Sequence, residues 1–94
     1  MTDAAKALVL PDILDLKAAG PLQADLLAHR GCDLVLDASG VQRLGGLCLQ
    51  VLLAARGTWR NDGVNLRLGS VSQAWGEQWA AFGAPDFNTE GALA

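Results

Sequence analysis

The residues able to do chemistry gather in one short stretch, DASGVQRLGGLC, residues 37–48. It holds a carboxylate (Asp37), a hydroxyl (Ser39), a guanidinium (Arg43), a pair of glycines and a thiol (Cys48). Such a junction has three physical uses: to hold a phosphate, to attack a substrate, or to touch another protein. A glycine-rich entry to a helix offers free N–H groups and the positive end of the helix dipole to an anion. A Walker loop, however, needs wider glycine spacing and a Lys-Ser/Thr pair, and a dinucleotide loop needs three spaced glycines. RLGGLCLQ has neither pattern, and Gly45 and Gly46 read better as a close approach of backbone to backbone at a helix start.

Ser39 follows a strand-like run, as a nucleophile elbow would. That elbow wants glycine two residues before and two after the serine, where this chain has Asp37 and Val41. The only histidine, His29, falls at a helix end, where it serves the last carbonyls or faces water. Without a positioned base, Ser39 is read as bonding its own loop. Cys48 falls on the apolar stripe of a helix, where burial raises a thiol's pKa and makes it inert. We therefore expect no enzyme and no cofactor. The two cysteines, Cys32 and Cys48, fit no zinc spacing, and with a single histidine no metal site is expected.

The elements that must position this stretch follow from periodicity. Residues 7–10 form an apolar run stopped by Pro11, read as a strand. Ile13, Leu14 and Leu16 add a brief second strand or a tight turn, and residues 15–19 a separate turn of helix. Leu22, Leu26 and Leu27 lie at helical spacing behind Pro21, which predicts a helix over residues 21–29 ended by Gly31. Residues 34–36 read as a central strand. From Leu44 the gaps become three and four: Leu44, Leu47, Cys48, Val51, Leu52, Ala55 and Trp59 make the core stripe of a long helix ended by NDG. Val64, Leu66 and Leu68 alternate with polar residues as a strand. Ser70 or Ser72 then caps a last helix carrying Val71, Trp75, Trp79 and Phe82, stopped by Gly83. The tail from residue 85 has no period and is expected to fray. Strands alternating with helices predict an α/β domain with a small, mostly parallel sheet.

On the long helix, Leu49 and Leu53 point away from the core stripe and share a side with Gly46, Gln50 and Arg60. Two readings fit. These leucines pack under a neighbouring helix, or they anchor another protein beside Gln50, rimmed by Arg43 and Arg60. Trp75 and Trp79, one turn apart, are read as core, and Trp59 as core or as a lid.

With 94 residues, 51% hydrophobic and 18% charged, the chain is one globular domain. A net charge of −3 with no basic stripe argues against nucleic acid and against an anionic membrane surface. Arg56 and Arg60 are the nearest approach to such a stripe. No apolar run reaches the ~20 residues of a bilayer span. MTDAAKALVLPD carries no basic leader, so no signal peptide and a cytoplasmic location are expected.

Several of these segments resemble a STAS domain, the fold shared by anti-sigma-factor antagonists and the cytoplasmic ends of sulfate transporters. LVLDASGV is similar to the family strand that ends Asp-x-Ser-Gly-Val, and LGGLCLQVLLAA to the helix after it. VNLRLGSVS and a helix ending FGA are similar to its last strand and helix. The likeness runs from about Ala7 to Ala84, and it implies a single STAS-like domain with helices packed on one side of a mixed sheet. In phosphorylation-switched members this helix opens Asp-Ser/Thr-Ser/Thr-Gly, and the second hydroxyl takes the phosphate. Those positions are Gly45, Gly46, Leu47 and Cys48 here, with no hydroxyl to modify. The resemblance thus implies a non-enzymatic docking surface of Ser39, Arg43, Leu44, Gly45, Gly46, Leu47, Leu49, Gln50 and Leu53. The implied partner is a chemotaxis histidine kinase or another kinase-fold ATPase. The alternatives are an accessory subunit on a transporter ATPase, or an anti-sigma antagonist whose phosphosite is lost or moved. Self-association is left open.

Overall fold

The computed structural model describes residues 6–84, 87 and 88. Strand β1 (Lys6–Val9) leads to a short β2 (Ile13–Leu14), a 3-10 turn (Leu16–Ala18) and helix α1 (Ala19–Ala28). Strand β3 (Leu34–Ala38), a short β4 (Arg43–Leu44) and the long helix α2 (Gly46–Asp62) follow. Strand β5 (Leu66–Val71) and helix α3 (Gln73–Ala81) complete the described elements. The main sheet has the order β1-β3-β5, and β2 pairs with β4 beside it; every pairing is parallel. This is the expected α/β architecture.

A parallel sheet covered on both faces is apolar throughout. Here burial alternates instead. Leu34, Leu36 and Ala38 of β3 are buried, while Val35 and Asp37 between them are partly open. Register partners point to the same face, so Leu8, Leu36 and Leu68 share the core side, and Ala7, Val35 and Arg67 the open side. One face therefore packs on the helices and the other does not. The core joins Leu14, Leu22 and Leu26 from the first half of the chain to Leu52, Trp59, Trp75 and Trp79 from the second.

Local signals explain the boundaries. Asp15 caps the 3-10 turn, its carboxylate accepting from the Ala18 N–H at 3.1 Å. Pro21 sits in the first turn of α1, where a missing N–H is harmless. Gly63, at φ 75°, ends α2 with a left-handed residue that suits glycine. Ser72 caps α3 by accepting from the Trp75 N–H at 3.0 Å. A register shift between Leu36 and Ala38 inserts an extra residue into β5. Gly69 lies at that bulge, where a Cβ would come within 3.0 Å of the Val35 side chain.

Four expectations are corrected. Leu44 lies in β4, not in the long helix, which starts two residues later. Val71 ends β5 and is exposed, rather than lying on the last helix. Phe82 is half exposed at the end of α3 instead of joining its core stripe. Phe87 and Asn88, the described part of the expected frayed tail, are anchored. Phe87 is buried edge-on against Trp79, with ring centroids 5.8 Å apart. The Asn88 amide pairs with both the N–H and the C=O of Leu68, at 2.8 and 3.0 Å. A side chain thus satisfies part of the outer edge of β5, which an edge strand otherwise leaves open. Among the described residues, no helix is long and apolar enough to cross a membrane.

Candidate docking site at the start of the second helix

Strand β3 delivers the chain to a loop, residues 39–42, that turns into β4 and then α2. The Ser39 N–H donates to Asp37 Oδ1 at 2.9 Å. Ser39's hydroxyl, and then its N–H, hold the Asp37 carboxyl below the usual carboxylate range. Ser39 thus closes its own turn, as its residue type favours.

The rest of the loop is tied down from two directions. On one side the Gln42 and Arg43 N–H groups donate to the Asp12 carbonyl at 2.7 and 3.2 Å, and the Gly45 N–H to the Leu14 carbonyl at 2.8 Å. On the other side Gln78 of α3 accepts from the Leu44 N–H at 2.6 Å and donates to the Gln42 carbonyl at 3.0 Å. The Ser72 hydroxyl donates to the Val41 carbonyl. One glutamine side chain therefore replaces a strand partner for the loop. Sequence reasoning missed it; the only trace is a polar residue one turn after Trp75, on the packed side of α3.

Gly45 is the N-cap of α2, and no side chain caps it. A Cβ there would stand 3.2 Å from the Leu14 carbonyl oxygen, which is why the backbones can approach only at a glycine. The Cys48 thiol donates to the Asp15 carbonyl at 3.3 Å. Burial, then the Asp15 charge, push that thiol's pKa up. Cys48 is fully buried and Cys32 exposed. Ellman's reagent should therefore modify Cys32 promptly in the native protein and Cys48 only in denaturant; equal native rates would refute the buried placement. His29 ends α1 with Nδ1 2.9 Å from the Asp25 carbonyl.

The docking residues expected from sequence divide sharply. Ser39, Arg43, Gly46, Leu47 and Gln50 are exposed, and Gly45 is half-buried. Leu44 and Leu49 are in the core, and Leu53 is half-buried against it. Leu47, assigned to the core stripe, is instead 48% exposed, while Leu49 is only 5% exposed. The buried stripe is rotated toward the Leu49–Leu53 side, and Leu49 shares one core cluster with Trp79 and Phe87. Arg56 lies three residues beyond Leu53, on the same side of the helix, and its guanidinium sits 5.5 Å from the Phe87 ring centroid. The packed reading of those two leucines holds.

Other exposed apolar groups lie near the start of α2. Phe82 comes within 3.8 Å of the place a Gly46 Cβ would occupy, and is 47% exposed. Leu16, 75% exposed, follows the residue whose carbonyl receives the Cys48 thiol. Ile13 pairs with Arg43 across the short sheet and is also exposed. The start of α2 thus carries an apolar rim on a backbone held from both sides. Such a rim is suited to contact.

A parallel sheet with helices on one face, and an exposed helix start at the carboxyl ends of its strands, defines a compact α/β interaction module. Residues 1–85 match the protein-family model described as "Mlab, STAS domain", and the chain belongs to this STAS family. Comparison with curated proteins gives no match. STAS domains are commonly protein-interaction and regulatory modules, and generally not enzymes.

Proposed function

We propose that this STAS domain docks on an ATP-binding protein of the histidine-kinase fold and regulates it, through the start of α2. The observation that carries the reading is the exposure of Leu47 at the turn of α2 where switched relatives place a phosphorylated hydroxyl. A phosphate adds about −1.5 to −2 charges, and Leu47 has no oxygen to bear one. Leu47, Phe82, Leu16 and Ile13 are exposed apolar groups at this end, with Arg43 and Gln50 as exposed polar ones. Large apolar groups clustered on a tied-down backbone are what a docking anchor requires, because little entropy is lost on binding. The contact is constitutive at this position, and regulation comes from the partner's state or abundance. The expected scale is about 800 Å² per partner.

The test pairs the purified domain with a candidate histidine kinase from the same cell and with the ATPase of a transporter. Calorimetry should find binding to the kinase, weakened at least ~10-fold by Leu47→Asp, with the circular dichroism spectrum unchanged. Binding only to the transporter ATPase would replace the partner named here. Binding undiminished in Leu47→Asp would remove the site. Incubation with the kinase and ATP should leave the domain unmodified by mass spectrometry. Phosphate on Ser39 or a nearby hydroxyl would restore a switched mechanism.

A further inference from the structure

The far end of α2 carries a second feature, about 20 Å from the helix start at 1.5 Å per residue. A cleft of about 490 Å³ opens between the last turns of α2 and the beginning of β5, flanked by Phe87 and Asn88. Such a volume lies within the ~300–1,000 Å³ of small-molecule sites. Arg56, Arg60 and Arg67 all line it, and among the described residues no aspartate or glutamate does. This is notable in a chain with ten acidic residues, seven lysines and arginines, and a net charge of −3.

From the sequence, Arg56 and Arg60 alone were too few to matter. The fold adds Arg67, which points away from the core because it alternates with Leu66 and Leu68 on β5. Like charges four residues apart on a helix repel, so Arg56 and Arg60 sharing one side of α2 is a local cost. Elsewhere the chain shows how it satisfies an arginine. The Arg30 guanidinium grips the Asp62 carboxylate with two bonds, at 2.8 and 3.1 Å. Arg60 and Arg67 have no such ion pair among the described residues. Both are exposed, so their charges are available rather than neutralised.

Trp59, at the inner wall, is held rigid by its indole N–H bond to the Cys32 carbonyl at 2.7 Å. Arg56 is steadied over the Phe87 ring. The inner wall is therefore fixed, and the three cations line the cleft. Guanidinium forks match phosphate oxygens in geometry as well as charge.

We propose that this cleft binds a small soluble phosphate ester, with Arg60 and Arg67 gripping a phosphate or pyrophosphate group and Arg56 flanking it. The site is independent of the docking surface at the other end of α2, so either assignment can fail without the other.

Titration of the whole domain with inorganic pyrophosphate, followed by amide NMR, tests it. We expect saturable shifts centred on Arg60, Asn65 and Arg67, with a dissociation constant of about 1 mM or tighter. Added sodium chloride should weaken the binding. The double variant Arg60→Gln/Arg67→Gln should weaken it at least ~10-fold. Its spectrum should stay dispersed, because both side chains lie outside the core. Lys17→Gln, on the distant 3-10 turn, should leave binding unchanged. Absence of saturation at ~10 mM pyrophosphate, or the same affinity in the double variant, would overturn the proposal.

Discussion

Leu49→Asp should abolish the folded domain. The side chain is 5% exposed and lies in the cluster that joins both halves of the chain. Truncating a buried leucine alone costs about 2–5 kcal/mol. Placing a carboxylate there adds a desolvation penalty, because the surrounding groups are apolar: among the described residues no polar or charged side chain is buried. A domain of this size holds roughly 5–14 kcal/mol in total. The variant is therefore expected as an unfolded or aggregated chain, with no cooperative transition in urea. Leu47→Asp, two residues earlier, should keep the wild-type midpoint, since Leu47 is half in water. A folded Leu49→Asp protein with an unchanged midpoint would refute the packed α2 face. The contrast also separates loss of partner binding through a damaged surface from loss through a damaged fold.

The second large effect falls on Trp59. It is the largest of the fully buried side chains, and its N–H reaches the Cys32 carbonyl at 2.7 Å. It ties the end of α2 to the segment that enters β3. Trp59→Ala should lower stability by about 3–5 kcal/mol, through lost burial and the cavity left behind. Trp59→Phe keeps most of the apolar volume but removes the donor, and should cost about 1–3 kcal/mol. Urea denaturation followed by circular dichroism measures both. A Trp59→Ala midpoint equal to wild type would mean that the ring is a lid over the helix end and not part of the core. The same variant should disturb the arginine cleft, whose inner wall the ring forms. Trp59→Phe, with its fold retained, should leave pyrophosphate shifts at Arg60 and Arg67 largely in place.

The two surfaces on α2 differ in kind because the ends of the helix meet different surroundings. At its start the large exposed apolar groups are Leu47, Phe82 and Leu16, beside the polar Arg43 and Gln50. Near its end Arg60 of α2 and Arg67 of β5 line one cleft, brought there by the crossover between the two elements. A rigid helix packed along the sheet holds both at once.

The alternation of strands and helices, the turn glycines and the STAS resemblance were legible in the residues themselves, because they rest on local rules. Periods of two and 3.6 mark strand and helix. Glycine at a left-handed position ends a helix, as Gly63 does, and a serine caps one, as Ser72 does. The absence of a hydroxyl at Leu47 was also plain, since it is a matter of residue type.

The direction in which α2 turns its apolar faces was decided only in three dimensions. Leucines lie on most of its circumference, so a rotation of about 100° per residue cannot tell which side is covered. Phe87 and Trp79, distant in sequence, join the core cluster that takes in Leu49, while Leu47 stays open. Gln78 holding the loop, and Arg67 joining Arg56 and Arg60, arise in the same way. Each depends on segments brought together by a parallel crossover, and no local period records which segments those will be.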